Sequence, residues 1–391
     1  MNVPVHGRIW GKPEHDNLMQ VVKSDWYTAG KWCARFENRL AKYLGVKHVS
    51  LCNSGSSANL LATLALDLKP GDEVITTAVN FPTTLNPILQ VGAIPVFVDV
   101  TLPHMTADVS QLEEVLSAKT KAVILAHTLG YPFEVTRVVD FCKRNKLYLI
   151  EDCCDALGGK YGAKYLGTYA DIYTLSFFPA HQIATGEGGA VGTNDERLSK
   201  SIRSFRDWGR DCWCLPGHDN TCGRRFDADY DHKYVYSRIG YHLAATEFTG
   251  AVGVAQMDRL AEFVQRRQEN HAYLLRMAHE LGLGEYFQLP YKENHCSPSW
   301  FGFAMMCRGD FRNDLCRWLD SVGVGNRPVF GGNLLRQPAY KDIPYRRAER
   351  LLNSHLVHDY AFWIGCWPGL NDDQLEYAIE MIVQYVRRQD G

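Results

Sequence analysis

The chain has 391 residues, 46% of them hydrophobic and 22% charged, with a formal net charge of −2 at pH 7. This length and balance are typical of a globular enzyme with one large and one smaller domain. The near-neutral charge and the lack of a Lys/Arg block argue against nucleic acid or an anionic membrane surface as the main partner.

The first eight residues lack the apolar stretch of a signal peptide, and no run of about 18 apolar residues predicts a membrane span. We therefore expect a cytoplasmic protein without a membrane partner. Twelve cysteines are unusual in that compartment, where structural disulfides are rare. They raise the question of reactive or metal-binding thiols.

Apolar runs alternate with helical patterns between residues 48 and 208, which predicts an α/β sheet with covering helices. A helix is predicted at 110–119, with Ser110 and Glu113 in capping-box spacing, and another at 136–144. Ligands of such sheets bind at the carboxyl ends of the strands, where Asp152, His181 and the 54–57 loop all fall. The runs predicted as buried parallel strands are 48–53, 73–77, 94–100, 122–127, 147–152, 171–178 and 188–193.

Residues 209–240 are rich in Gly, Asp, Arg and Cys and are interpreted as an inserted loop. A long helical stretch is predicted at 245–281, followed by a small α+β domain with a strand at 300–307 and helices at 312–323 and 372–388. The predicted domains are therefore 1–281, which includes the 209–240 insert, and 282–391.

Residues 176–189 read SFFPAHQIATGEGG, with His181 at their centre. This segment resembles the one that carries the cofactor lysine in the sugar aminotransferases that use pyridoxal phosphate, a family with a type I aminotransferase fold. Imidazole cannot form the Schiff base that lysine forms, but it can transfer protons near neutral pH. The resemblance implies noncovalently bound pyridoxamine phosphate with His181 as the base. A histidine that fills an ordinary loop is the alternative.

Three further features could contact such a cofactor. Small residues at 52–59 (CNSGSSAN) follow a strand and open a helix, where backbone amides can hold a phosphate, although a plain turn and cap would explain them too. Asp152 could keep a pyridine nitrogen protonated or cap a helix. Phe81 could stack on a flat ring or pack in the core.

The order and spacing of these features resemble the same family over roughly residues 20–385. The resemblance implies that the Gly55 and Ser56 amides and the Ser176 hydroxyl bind the phosphate. It also implies Phe81 over the ring and Asp152 at the ring nitrogen.

Members of the family are usually homodimers with sites at the shared interface. His242 stands where a neighbour's asparagine commonly reaches the phosphate. That contact is therefore either lost or made by imidazole.

The cysteines show one distinctive spacing. Fifty-seven residues separate Cys154 from Cys212, one separates Cys212 from Cys214, and seven separate Cys214 from Cys222. Thiolates at this spacing could bind zinc or an iron–sulfur cluster, and coincidence is a third interpretation. The pattern and its flanks at 205–212 and 216–222 resemble the 3-dehydrases of deoxysugar biosynthesis that carry a [2Fe–2S] cluster, which implies these four cysteines as ligands. Asp155 near the ring hydroxyl also matches those enzymes, with a helix cap as the alternative.

The resemblance implies reductive chemistry. Pyridoxamine phosphate would condense with the 4-keto group of a nucleotide-linked 4-keto-6-deoxyhexose, and His181 would remove a proton. The C3 hydroxyl would then leave, and an electron-donating reductase would supply electrons through the cluster. Arg327 suits a diphosphate, although a solvated arginine is nearly as good an interpretation.

Physical reasoning does not separate CDP, dTDP and GDP as the nucleotide, while overall resemblance favours CDP. Three other functions are also compatible with the sequence. They are a dehydratase without a cluster, a plain sugar aminotransferase and a zinc-bearing scaffold without catalysis.

Overall fold

The computed structural model describes residues 1–212, 214, 220–223 and 230–389. The other residues of the predicted 209–240 loop, and with them residues 216–219 of the second cysteine flank, lie outside this description. The helices are α1 (Lys12–Val22), α2 (Lys31–Leu44), α3 (Gly55–Leu64), α4 (Pro82–Gln90), α5 (Leu112–Val115), α6 (Val135–Asn145), α7 (Glu196–Arg206), α8 (Glu247–Met257), α9 (Leu260–Glu280), α10 (Arg312–Ser321), α11 (Leu352–Tyr360) and α12 (Asp372–Gln389). The strands are β1 (His48–Cys52), β2 (Glu73–Thr77), β3 (Ile94–Val98), β4 (Thr120–Ala126), β5 (Tyr148–Asp152), β6 (Lys160–Tyr161), β7 (Lys164–Tyr165), β8 (Ile172–Ser176), β9 (Gly189–Thr193), β10 (Phe287–Gln288), β11 (Cys296–Ser297), β12 (Gly302–Cys307), β13 (Asn326–Pro328), β14 (Arg346–Arg347) and β15 (Ala361–Gly365).

The seven predicted apolar runs and the unpredicted β14 form the large sheet, whose order is β1-β9-β8-β5-β4-β2-β3-β14. Strands β8, β5, β4, β2 and β3 are parallel to their neighbours in this central stretch, and helices cover them. The prediction that all seven runs are parallel is wrong for β9, which runs antiparallel to both β1 and β8. The 177–188 connection contains no crossover helix, so the chain returns antiparallel instead of crossing over the sheet. The architecture is α/β with an aminotransferase-like fold, as predicted.

Two predicted helices differ in extent. At 110–119 the chain forms only a 3₁₀ turn (Val109–Gln111) and the short α5. The residue that caps the 3₁₀ turn is Asp108 instead of Ser110, because the Asp108 side chain accepts a hydrogen bond from the Ser110 amide. The long stretch predicted at 245–281 is divided into α8 and α9. The predicted helices at 136–144, 312–323 and 372–388 correspond to α6, α10 and α12.

A second, four-stranded antiparallel sheet has the order β10-β12-β15-β13. Its core includes Leu319 of α10 and Ile379 of α12, together with Leu274 and Ala278 of α9 and Val3 from the chain start. The small unit therefore uses side chains from before residue 282, and the domain boundary at 281/282 stays a prediction. Among the described residues, no helix is both long and apolar enough to cross a lipid bilayer.

Arg267 of α9 links the segment that carries His181 to the start of the second sheet. The residue is 1% exposed, and its guanidinium donates to the carbonyls of Ala180 and His181 at 3.1 Å each. It also donates to the carbonyls of Trp300 and Phe301, at 3.1 and 3.2 Å. A planar group with several fixed donors is suited to hold four carbonyls at once.

We expect Arg267→Met to lower the free energy of unfolding by about 2–4 kcal/mol, because buried carbonyls lose their donors. The matched control is Arg266→Met on the same helix, where the side chain is 37% exposed and pairs with Asp372 at the surface. That change should cost less than about 1 kcal/mol. Chemical denaturation of both variants measures the difference, and equal losses would contradict the role given to Arg267.

Candidate active site

A cleft of about 420 Å³ opens at the carboxyl ends of the large sheet, between it and the second sheet. The ends of β4, β5 and β8 and the first residues of α3 and α4 form one side, while β13 and β15 contribute to the other. Every residue predicted to contact cofactor or substrate lines it, as does one predicted metal ligand. These residues are Gly55, Ser56, Phe81, Asp152, Cys154, Asp155, Ser176, His181 and Arg327.

The start of α3 and the end of β8 form a narrow cradle. Ser54 caps α3 by accepting the Ser57 amide, which leaves the Gly55 and Ser56 amides at the helix N-terminus. A Cβ added to Gly55 would lie 2.6 Å from the Ser176 Cβ and 3.2 Å from the Cys154 Sγ. Only glycine allows this close approach. The helix amides and the Ser176 hydroxyl together suit a phosphate group.

Asp152 forms the buried floor of the cleft and is 6% exposed. Its Oδ2 accepts from Asn59 Nδ2 at 2.8 Å and from Thr84 Oγ1 at 2.7 Å, and its Oδ1 accepts the Cys154 amide at 3.1 Å. Asn59 is fixed in turn, because Thr174 Oγ1 donates to its Oδ1 at 2.6 Å. A carboxylate held this rigidly can face a protonated pyridine nitrogen.

His181 and Asp155 lie next to each other in the cleft. The His181 Nδ1 is 3.4 Å from the Asp155 Oδ1, and both side chains are nearly buried. Burial, then the Arg267 charge, lowers the pKa of His181 well below its usual range, while burial and the Asp152 charge raise the pKa of Asp155. The imidazole is therefore neutral at pH 7, the protonation state that a general base requires. Among the described residues that line the cleft there is no lysine.

Phe81 is well placed to contact a flat ring. It precedes α4, is 52% exposed and meets Phe330 edge to face, with ring centroids 6.5 Å apart. Since one face of the ring is not covered by core residues, stacking on a ligand is open to it.

His6, which was not predicted from the sequence, lines the same cleft as Arg327. The strand-like start of the chain positions it, because Val3 pairs with Val324 and the Trp367 indole donates to the Pro4 carbonyl. Burial, then the charges of Arg327 and Arg267, lowers the pKa of His6. A lone histidine in a short N-terminal segment gives no sequence signal, so only the fold could reveal it.

The other three predicted metal ligands form a cluster of their own. The Cys214 and Cys222 sulfurs are 3.4 Å apart, and the ligand atoms of Cys212, Cys214 and His232 all lie within 4.8 Å of one another. Burial alone would raise the pKa of Cys214, but hydrogen bonds from Cys222, Thr221 and His232 lower it to about 6. A thiolate favoured in this way suits a metal ion or cluster. His232 was not predicted, although it follows Cys222 by only ten residues.

Among the described residues of one chain, Cys154 is not part of the group of closely spaced ligand atoms that Cys212, Cys214 and His232 form. Cys154 instead lines the cleft, directly after the carboxyl end of β5. The role of Cys154 as a metal ligand therefore stays a prediction.

His242 does not line the cleft of its own chain. It stacks on Trp208, with ring centroids 4.3 Å apart. Its contact with a neighbouring cofactor, and the homodimer itself, stay predictions.

Comparison with known proteins identifies the wider group. Residues 9–383 match the model of the DegT/DnrJ/EryC1/StrS aminotransferase family. The chain is 44% identical to the lipopolysaccharide biosynthesis protein RfbH of Salmonella typhimurium, over 98% of this chain and 91% of that protein. It is 43% identical to the dTDP-4-dehydro-2,6-dideoxy-D-glucose 3-dehydratase of Saccharopolyspora spinosa, over 92% and 81%.

A solved structure supports the same grouping. The E. coli GDP-4-keto-6-deoxy-D-mannose-3-dehydratase with bound hydrated PLP superposes with a TM-score of 0.89 at 28% identity, over 98% of this chain and 99% of that one. Sugar 3-dehydratases are thus among the relatives in sequence and in structure. The chain belongs to the DegT/DnrJ/EryC1/StrS aminotransferase family.

Proposed function

We propose that this protein removes the C3 hydroxyl of a nucleotide-linked 4-keto-6-deoxyhexose by dehydration coupled to reduction. It would use noncovalently bound pyridoxamine 5′-phosphate and a [2Fe–2S] cluster, as a 3-dehydrase of 3,6-dideoxyhexose biosynthesis. The observation that carries the proposal is His181 at the carboxyl edge of the sheet, in a cleft whose described lining contains no lysine.

The cleft fits the cofactor. When bound, pyridoxamine phosphate supplies an amine for the sugar carbonyl and a ring that accepts electrons. The cradle of Gly55, Ser56 and Ser176 would hold its phosphate, and Asp152 would keep its ring nitrogen protonated. Phe81 would cover one face of the ring.

His181 would move the proton that starts the elimination. Its Nδ1 lies beside Asp155, so Nε2 is the nitrogen directed to the reaction, and the Arg267 clamp fixes the backbone that carries it. Asp155, whose pKa is raised by burial and by Asp152, can hold a proton near the imidazole. The pair thereby keeps a neutral base at a nearly buried position of the cleft.

The reduction completes the chemistry. The C3–O bond breaks and the hydroxyl leaves as water after taking a proton. The reduction then needs two electrons and two protons, one proton for the new C3–H bond and one to replace the proton that His181 removed. An electron-donating reductase would supply the electrons one at a time, through a cluster whose proposed ligands are Cys154, Cys212, Cys214 and Cys222.

Arg327 and His6 lie on the wall opposite the phosphate cradle, where the nucleotide diphosphate would enter. A guanidinium matches diphosphate oxygens through paired donors. CDP-4-keto-6-deoxyglucose is the substrate that we propose first. The Saccharopolyspora relative, whose name gives a dTDP-linked sugar, favours dTDP as the second candidate.

We expect His181→Asn to leave cofactor affinity nearly unchanged while dehydration falls by about 10²–10⁴-fold, the usual contribution of a positioned base. Single-turnover loss of the C3 hydroxyl measures the rate, and cofactor titration measures the affinity. His295→Asn, a change at an exposed histidine outside the cleft, is the control. An unchanged rate in the His181 variant would remove this residue from the mechanism.

Borohydride reduction distinguishes the proposed dehydrase from a plain aminotransferase. Reduction of the pyridoxal-loaded protein should leave no cofactor attached to the chain, because imidazole forms no reducible Schiff base. Intact-protein mass measures attachment. The His181→Lys variant is the positive control, and covalent labelling of the unmodified protein would support the aminotransferase reading.

Turnover of a substrate panel tests the whole function. Anaerobically purified protein with a reductase should convert CDP-linked 4-keto-6-deoxyhexose, and we expect slower conversion of the dTDP- and GDP-linked sugars.

Cys212→Ala should abolish reductive turnover but spare dehydration, while Cys316→Ala on α10 should spare both. Product mass and iron and sulfide content give the readout. Dehydration without iron or sulfide would support the cluster-free dehydratase, and zinc without turnover would support the scaffold.

A further inference from the structure

The cleft contains a histidine to which the proposed chemistry gives no role. His6 lines the cleft together with Arg327, and the His6 ring forms no hydrogen bond or ion pair within the described part of the chain. We propose that His6 and Arg327 together bind the diphosphate of the nucleotide sugar, and that His6 takes up a proton as the diphosphate binds. The inference rests on the proposed function, which supplies a substrate with a diphosphate.

The start of the chain is held against the second sheet on both sides of His6. Before it, a Cβ added to Gly365 would lie 2.6 Å from the Val5 carbonyl oxygen, so only glycine lets the backbone cross the sheet there. After it, a Cβ added to Gly7 would lie 2.5 Å from the Trp367 ring. The backbone that carries His6 is therefore positioned by the fold.

The His6 side chain is directed away from the core. Val3 and Val5 are buried, at 2% and 5% exposed, whereas Pro4 and His6 are partly exposed. This alternation is typical of extended backbone, in which successive side chains lie on opposite sides. Since Val5 packs into the core, His6 is directed into the cleft that it lines.

Arg327 reaches the cleft from β13, and its guanidinium is open to a ligand. The residue is exposed and forms no ion pair with any other described residue, while its Nη1 donates to the carbonyl of the neighbouring Asn326 at 2.6 Å. Its charge acts on His6, because it is the largest cause after burial that lowers the pKa of His6. The guanidinium and the imidazole together offer several N–H donors to phosphate oxygens.

A bound diphosphate changes the charge balance around His6. Without it, burial and then the charges of Arg327 and Arg267 lower the pKa of His6. His181 is neutral as well, and burial raises the pKa of Asp155 beside it, so neither favours the imidazolium. Negative phosphate oxygens favour the charged ring and raise its pKa. Because the bound form then holds more protons than the free form, affinity should rise as the pH falls between the two pKa values.

Calorimetric titration of the full-length protein, loaded with pyridoxamine 5′-phosphate, tests this inference. The ligands are CDP-, dTDP- and GDP-glucose, which carry the diphosphate but no keto group and therefore bind without reacting. For the ligand that binds most tightly, His6→Gln should lower the affinity about 10–100-fold at about pH 6, because a charged hydrogen bond is lost, and less at about pH 8. Titrations in two buffers of different ionisation enthalpy measure proton uptake, which His6→Gln should abolish. His15→Gln, at an exposed histidine of α1, should change neither quantity.

His6→Arg guards against simple misfolding, because it restores a positive charge. This variant should keep most of the affinity while proton uptake disappears. Unchanged affinity in His6→Gln, or lower affinity with unchanged proton uptake, would overturn this inference and leave the proposed function intact. If none of the three ligands binds the unmodified protein, both are wrong. Binding that depends on His6, in a protein that does not remove the C3 hydroxyl of any 4-keto sugar, would overturn only the proposed function.

Discussion

One buried carboxylate joins the elements that make the cleft. Asp152 ends β5 and accepts hydrogen bonds from α3 through Asn59 and from α4 through Thr84, while Thr174 of β8 fixes Asn59. These contacts set the position of the α3 N-terminus relative to the strand ends, and so of the cradle at Gly55. A buried charge is tolerated only when its oxygens are satisfied, so the network holds a negative group in place before any ligand arrives.

A second buried charged residue, Arg267, holds the backbone around His181. The Arg267 guanidinium binds the carbonyls on either side of the cleft, at Ala180 and His181 and at Trp300 and Phe301. The distance between the large sheet and the second sheet is thereby tied to the backbone that carries the proposed base. The same positive charge helps keep the imidazole neutral. Structural support and the protonation state of His181 thus come from one side chain.

The cysteine loop begins after the chain has returned along the sheet. The far end of β9 leads into α7, and Arg206 at the end of α7 donates to the Leu51 carbonyl near the carboxyl end of β1. The cluster of Cys212, Cys214, Cys222 and His232 is local, since it forms within about twenty residues of one loop.

The local pattern of apolar and polar residues predicted much of the fold of this protein. The apolar runs predicted seven of the eight strands of the large sheet, because burial on both faces leaves a continuous hydrophobic signal, whereas the exposed β14 has no such signal. The rule that ligands meet at strand ends grouped Asp152, His181 and the 54–57 loop, and residues of all three line the same cleft. The sequence pattern could not predict features that depend on contacts between distant segments. These features are the direction of β9, the position of His6 in the cleft, the hydrogen bonds of Arg267, the position of Cys154 and the contact of His232 with the cysteines. Each of these depends on which surfaces pack together in three dimensions, and residue spacing along the chain carries no such information.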